Sequence, residues 1–131
     1  MKSIMISIRH RWAEEIYRRT KTDELRKTTP RDPQFWLAPI RMVRIYEPEI
    51  GMVTGVFTLM CADEIESAED VLRYNTALEL EEIEAYGPGR DGFYHIWRTA
   101  WAERFQQPLP LSVFGLARPP QSWQYINEEG P

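Results

Sequence analysis

The apolar residues of this chain recur mostly with a period of two, in short runs closed off by proline and glycine, and that pattern confines the fold to one built around a sheet. Ser3, Met5 and Ser7 alternate with Ile4, Ile6 and Ile8. Glu24-Leu25-Arg26-Lys27-Thr28 alternates in the same way, which puts Glu24 and Arg26 on one face of a strand. Met42–Tyr46 and Met52–Met60 are strands by their Val, Thr and aromatic content, with Pro48-Glu49-Ile50-Gly51 as the turn between them. Gly55 marks a bulge or a close backbone approach within the second of these. Phe93–Phe105 and Ser112–Leu116 read as further strands, and Pro108-Leu109-Pro110-Leu111 as an extended edge. The aromatic tail from Pro119 to Ile126 is expected to pack back on the body.

Helical spacing is confined to two places. Trp12, Ala13, Ile16 and Tyr17 share one face over residues 11–19. After Ala62 the chain turns acidic, and Ser67-x-x-Asp70 and Thr76-x-x-Glu79 resemble helix starts, with Val71, Leu72, Leu78, Leu80 and Ile83 as the buried side and Gly87-Pro88-Gly89 as the stop. Pro30-Arg31-Asp32-Pro33 is a loop. Strands joined by short connections, with helices set apart, predict a single α+β domain over residues 1–131, built on a small, mostly antiparallel sheet or barrel.

Composition narrows the function. One cysteine, Cys61, excludes an intramolecular disulfide and a multi-thiolate zinc site, and His10 and His95 alone do not make a His-rich metal cluster. No window has the length of a membrane span, and the N-terminal apolar stretch reads as too short for a signal peptide, so a cytoplasmic protein is expected. The formal charge is −4. It is unevenly spread: residues 1–44 hold 11 Lys/Arg against 5 Asp/Glu, a formal +6, and the remainder carries −10. That split predicts a polarised molecule that orients an anionic ligand toward one side.

The segment Lys21-x-x-Glu24-x-Arg26 concentrates chemistry between the first helix and the next strand. Glu24 and Arg26 can pair. Arg26 can grip a phosphate or carboxylate with two prongs, and Lys21, crowded by Arg26 and poor in water, can act as a general base. Glu24 can instead accept hydrogen bonds from the amino group of a base. The plain alternative is a surface ion-pair network of little consequence. Most of the aromatic rings, Trp12 among them, read as core; Trp36, Tyr46 and Trp123 are the better candidates for stacking on a base. Gly87-x-Gly89-x-x-Gly92 follows a helix, not a strand, and is no phosphate loop.

The order of a strand, Ser7-Ile8-Arg9, a short helix with Trp12-Ala13 and Ile16, then Lys21-x-x-Glu24-x-Arg26 resembles the ASCH domain family, a branch of the PUA-like β-barrels. That family's signature is Gly-x-Lys-x-x-Glu-x-Arg after the first helix; Arg19 stands here at the Gly position. Tyr46, Gly55-Val56-Phe57, Gln107–Leu111 and Pro119-Pro120-Gln121-Ser122 extend the likeness over nearly the whole chain. The resemblance implies a PUA-like barrel flanked by short helices that binds RNA, a nucleotide or a nucleoside without a cofactor or metal. Its cleft would be lined by Lys21, Glu24 and Arg26, with Arg9, Tyr46 and Ser122 beside them. RNA binding that weakens steeply with salt is then expected.

Some members are enzymes: amidohydrolases that deacetylate acetylated cytidine, and ribonucleases on single-stranded RNA. An enzyme here would use Lys21 as general base with Glu24 orienting it or acting on water. In the amidohydrolases a nucleophilic Thr occupies the position of Glu24, and a carboxylate does not inherit a hydroxyl's role. A third reading is an interaction protein that uses the acidic region 63–84, with Glu79, Glu81 and Glu82.

Overall fold

A computed structural model describes residues 1–128. The chain runs β1 (Lys2–Ser7), α1 (His10–Tyr17), β2 (Asp23–Arg26), α2 (Pro33–Trp36), β3 (Met42–Glu47), β4 (Met52–Ile65), α3 (Ala68–Val71), α4 (Leu80–Tyr86), β5 (Tyr94–Leu109) and β6 (Trp123–Asn127), with a 3-10 turn at Leu111–Phe114. The six strands form one sheet in the order β2-β5-β4-β3-β1-β6. Every neighbouring pair is antiparallel except β1 and β3, whose parallel pairing needs the crossover that α1, β2 and α2 supply.

The expected barrel is not closed. β2 is four residues long, and Pro30 and Pro33 follow soon after it, so it cannot extend a backbone ladder toward β6. Side chains bridge the two edges instead. Arg26 Nη1 donates to Ser122 Oγ at 3.1 Å and Trp123 Nε1 to Thr28 Oγ1 at 2.8 Å. Tyr125 Oη accepts from the backbone N–H groups of Arg31 and Asp32 at 2.9 and 3.0 Å.

The alternation of β1 divides the core. Ile4 and Ile6 point to one face, where Val43, Ile45, Phe57, Leu59 and Trp97 of the sheet meet Ala13 and Ile16 of α1 and Phe35 of α2. Met5 points to the other, with Tyr46, Val53 and Ile126. Each such side chain, fully buried, contributes roughly 1.5–3 kcal/mol. A third cluster packs Val71 of α3 and Ile83 of α4 on Leu25, Tyr94 and Ile96. Gly55 lies where the β4 register shifts, and a Cβ there would overlap the carbonyl oxygen of Glu103 and the ring of Tyr17.

Several boundaries differ from the sequence reading. β4 continues through Asp63, Glu64 and Ile65 because they pair with Ile96, His95 and Tyr94 of β5, and that ladder outweighs acidic composition. Ser67 caps α3 as expected, accepting from the Asp70 N–H at 3.2 Å. Thr76 does not cap α4: the N-cap is Glu79, three residues later, and Glu82 accepts from the Glu79 N–H at 3.0 Å. Asp32 caps α2 inside the expected loop, accepting from Gln34 N–H at 2.9 Å. Residues 112–116 are no strand; Leu111–Phe114 form the 3-10 turn, and Gly115 ends it with φ of +77°. The aromatic tail packs back as β6 on β1.

Candidate functional site

β2 carries the charged motif into a cleft of about 390 Å³. The turn into that strand is made by Arg19 with φ of +63°, a left-handed conformation that suits glycine better. Its guanidinium is held by Thr99, with Nη1 to the hydroxyl at 2.6 Å and Nη2 to the carbonyl at 3.0 Å. The chain then enters β2 with Lys21 buried at 2% exposure and Glu24 at 6%. At that burial the trio is no surface network.

Its hydrogen bonds define what each group can still do. Lys21 Nζ donates to the carbonyl of Asp23 at 2.6 Å, to that of Thr76 at 3.0 Å and to Glu24 Oε1 at 2.9 Å. An ammonium has three protons, and all three are engaged. Arg26 donates Nε and Nη2 to Glu24 Oε2 at 2.9 and 2.6 Å, Nη2 also to the Ser7 carbonyl at 2.8 Å, and Nη1 to the hydroxyl and the carbonyl of Ser122 at 3.1 and 3.5 Å. The guanidinium is thus committed to the protein, and the two-pronged grip expected on a ligand is spent on Glu24. Burial alone would raise the Glu24 carboxyl; Lys21 and Arg26 overcome it and hold the group below the usual carboxylate range. Of about four acceptor directions on the carboxylate, three are filled, which leaves one at Oε1.

The rest of the lining comes from four segments. Ser7, Ile8, Arg9 and Trp12 lie along the end of β1 and the start of α1; Pro48 and Gln121 come from loops; Leu78, Glu82 and Tyr86 form a wall from α4 and the residues before it. The Lys21 ammonium sits 5.8 Å from the Trp12 ring centroid, and the Arg11 guanidinium 4.2 Å from it. Arg9, with a side chain 75% exposed, stands at the cleft's rim with only a distant pairing to Glu49 at 3.9 Å.

The structure therefore brings Arg9, Lys21, Glu24 and Arg26 to one cleft, with Ser122 behind Arg26. Tyr46 is elsewhere, its ring packed with Met5, Val53 and Ile126. The other stacking candidates are also committed: Trp36 donates to the Pro30 carbonyl at 2.7 Å, and Trp123 packs edge-on against Trp97 at 5.3 Å. The rings that reach the cleft are Trp12 and Tyr86. Tyr86 had a signal in the sequence, since Glu82 and Tyr86 stand four residues apart and so share one face of α4.

His10 and His95 lie outside the cleft lining, His95 buried between Thr29 and Asp91. Glu64, Asp91 and His95 bring donor atoms within 4.8 Å of one another, but Arg31 pairs with Glu64 and Asp91 with His95. Cys61 is half-buried, and burial pushes its thiol up.

Solved structures share this architecture. An ASCH protein of Zymomonas mobilis superposes with a TM-score of 0.79 at 19% identity, over 96% of this chain and 88% of the other. The chain has the ASCH fold. Two mutants of the same Zymomonas mobilis protein agree: a tyrosine-to-phenylalanine form at TM-score 0.79, 18% identity, 98% and 92% coverage, and a serine-to-alanine form at 0.77, 18%, 96% and 89%. No protein-family model matches the chain, and no curated protein matches it. Among the described residues no helix of this ASCH fold is long and apolar enough to cross a membrane.

Proposed function

We propose that the cleft binds a nucleobase bearing an exocyclic amino group, as part of a nucleotide or of single-stranded RNA. The observation that carries this reading is Glu24: a buried carboxylate, kept ionised by two cations that have no donors left, with one acceptor direction remaining. Such a group selects a hydrogen-bond donor, and an amino group on a flat base is one. Trp12 and Tyr86 supply aromatic walls for the ring, and Arg9 at the rim supplies a cation for the attached phosphate. The volume lies in the range of small-molecule sites. The same hydrogen bonds speak against Lys21 as a general base, because a proton acceptor needs a free lone pair and this nitrogen presents three donated protons.

Calorimetric titration with cytidine and uridine 5′-monophosphates tests the reading. Uracil places a carbonyl oxygen where cytosine carries its amine, so cytidine monophosphate should bind about tenfold or more tighter, and Glu24→Gln should erase the preference. Equal affinities, or no binding of either nucleotide, would refute it.

A further inference from the structure

A second cavity of about 650 Å³ lies on the other side of the Lys27–Tyr86 contact, lined by Lys27, Thr28, Thr29, Arg31, Arg90 and His95, with Pro88 and Asp91. Its position follows from β2 and from the Gly-Pro-Gly segment after α4. Lys27 continues β2 one residue past Arg26 and lays its ammonium 4.2 Å over the Tyr86 ring, so the two hollows share a wall. Gly89 seats its backbone directly against the Lys27 carbonyl, where a Cβ would clash, and Gly92, with φ of +86°, turns the chain back toward β5. Residues 87–92 thereby form one side of a groove whose other side is Lys27–Arg31.

The donors in this groove are free to a degree that those of the cleft are not. Lys27 is spent, its three protons on the carbonyls of Tyr86, Gly87 and Pro88. Arg31 gives one nitrogen to Glu64. Arg90 has no ion pair among the described residues. The Thr28 hydroxyl accepts from Trp123 and keeps its own proton to donate. Asp91 turns its carboxylate to His95 Nε2 at 2.9 Å and to the Phe93 N–H at 3.1 Å. Three cations against one carboxylate give the lining a formal +2, whereas the cleft's charged lining, Arg9, Lys21 and Arg26 against Glu24 and Glu82, comes to +1. Two guanidiniums and a hydroxyl beside a base-sized cleft suit the tetrahedral oxygens of a phosphodiester.

We infer that this groove is a backbone subsite, in which Arg31, Arg90 and Thr28 hold a phosphate of the nucleotide adjoining the one whose base occupies the cleft. The ligand is then a single-stranded oligonucleotide, and the inference rests on the nucleobase reading of the cleft. Titrations of the whole protein with cytidine 5′-monophosphate and with a cytidine tetranucleotide separate the two. The tetranucleotide should bind about tenfold tighter than the monophosphate. Arg31→Ala combined with Arg90→Ala should remove that gain and leave the monophosphate affinity unchanged, while Arg73→Ala, an exposed arginine elsewhere, should change neither.

A tetranucleotide no tighter than the monophosphate, a gain that survives the double variant, or an equal loss with Arg73→Ala overturns the groove and leaves the cleft reading standing. If the monophosphate does not bind, the cleft reading fails. A tetranucleotide that binds and is weakened by the double variant still supports the groove, and one that does not bind overturns it.

Discussion

At Lys21 and Glu24 the two members of a buried ion pair are unequal. Lys21→Met removes one charge and leaves Glu24 with Arg26, whereas Glu24→Ala leaves two cations facing each other where water is nearly absent. Stripping one partner from a buried pair costs about 3–5 kcal/mol, so urea denaturation should place Glu24→Ala well below Lys21→Met, which also restores apolar packing. The same site sets a pH dependence. The folded Glu24 carboxyl lies below its unfolded value of about 4.3, so the unfolded state binds more protons in acid. Its contribution is complete above the unfolded value and is lost as pH falls through the folded one. Stability of Glu24→Gln should therefore change less with pH below about 5 than that of the native protein. Arg19 gives a second contrast. Arg19→Ala keeps the left-handed backbone and loses the bonds to Thr99, while Arg19→Gly loses the bonds but relieves the backbone, so the glycine variant should be the more stable of the two by about 1 kcal/mol.

At the level of elements, the long hairpin of β4 and β5 depends on Gly55, because Tyr17 of α1 and the backbone of Glu103 occupy the space a side chain would need. Gly55→Ala must push the helix off the sheet or bend the hairpin, and a loss of about 1–3 kcal/mol in thermal or urea unfolding is expected. That glycine was legible, as were β1, α1 and the Lys21-Glu24-Arg26 face, because each is written in a local period or spacing. What was not legible depends on a distant partner. Acidic Asp63 and Glu64 look helical until β5 pairs with them, and Ser112–Leu116 looks like a strand although no strand takes it as a neighbour. The open sheet is of this kind too, since its edges are joined by Arg26, Trp123 and Tyr125 side chains that no periodicity announces. In the cleft the charged floor could be read and the aromatic walls only in part: Trp12 looks like core, the spacing of Glu82 and Tyr86 gives a helical face but not the β2 cleft that it meets, and Tyr46, a residue of the expected strand, faces the opposite side of the sheet.

Across the whole molecule, folding gives each cation of the basic first third a partner within the protein. Of the first-third cations, Lys2 pairs with Asp32, Arg9 with Glu49, Arg18 with Glu14, Arg31 with Glu64 and Arg44 with Glu128, while Lys21 and Arg26 share Glu24. Arg11 lies over Trp12, Arg19 bonds Thr99, and Lys27 and Arg41 bond backbone carbonyls. A polyanion therefore meets few unpartnered cations, and the proposed cleft and groove predict a shallow salt dependence where the +6 segment taken alone suggests a steep one. For single strands log K falls with log salt by about 0.7 per phosphate neutralised. One phosphate at Arg9 predicts about a threefold loss for cytidine monophosphate between roughly 50 and 200 mM salt, and two phosphates, one at the cleft and one in the groove, predict a loss of about sevenfold for a tetranucleotide. A track that neutralised seven phosphates would lose about a thousandfold over the same range. Fluorescence anisotropy of a labelled oligonucleotide across that range decides between them: a slope near −5 would mean that the basic third is unpaired in solution and that the ligand runs over the surface, and a slope between about −0.7 and −1.4 that it is held by the cleft and its neighbouring groove.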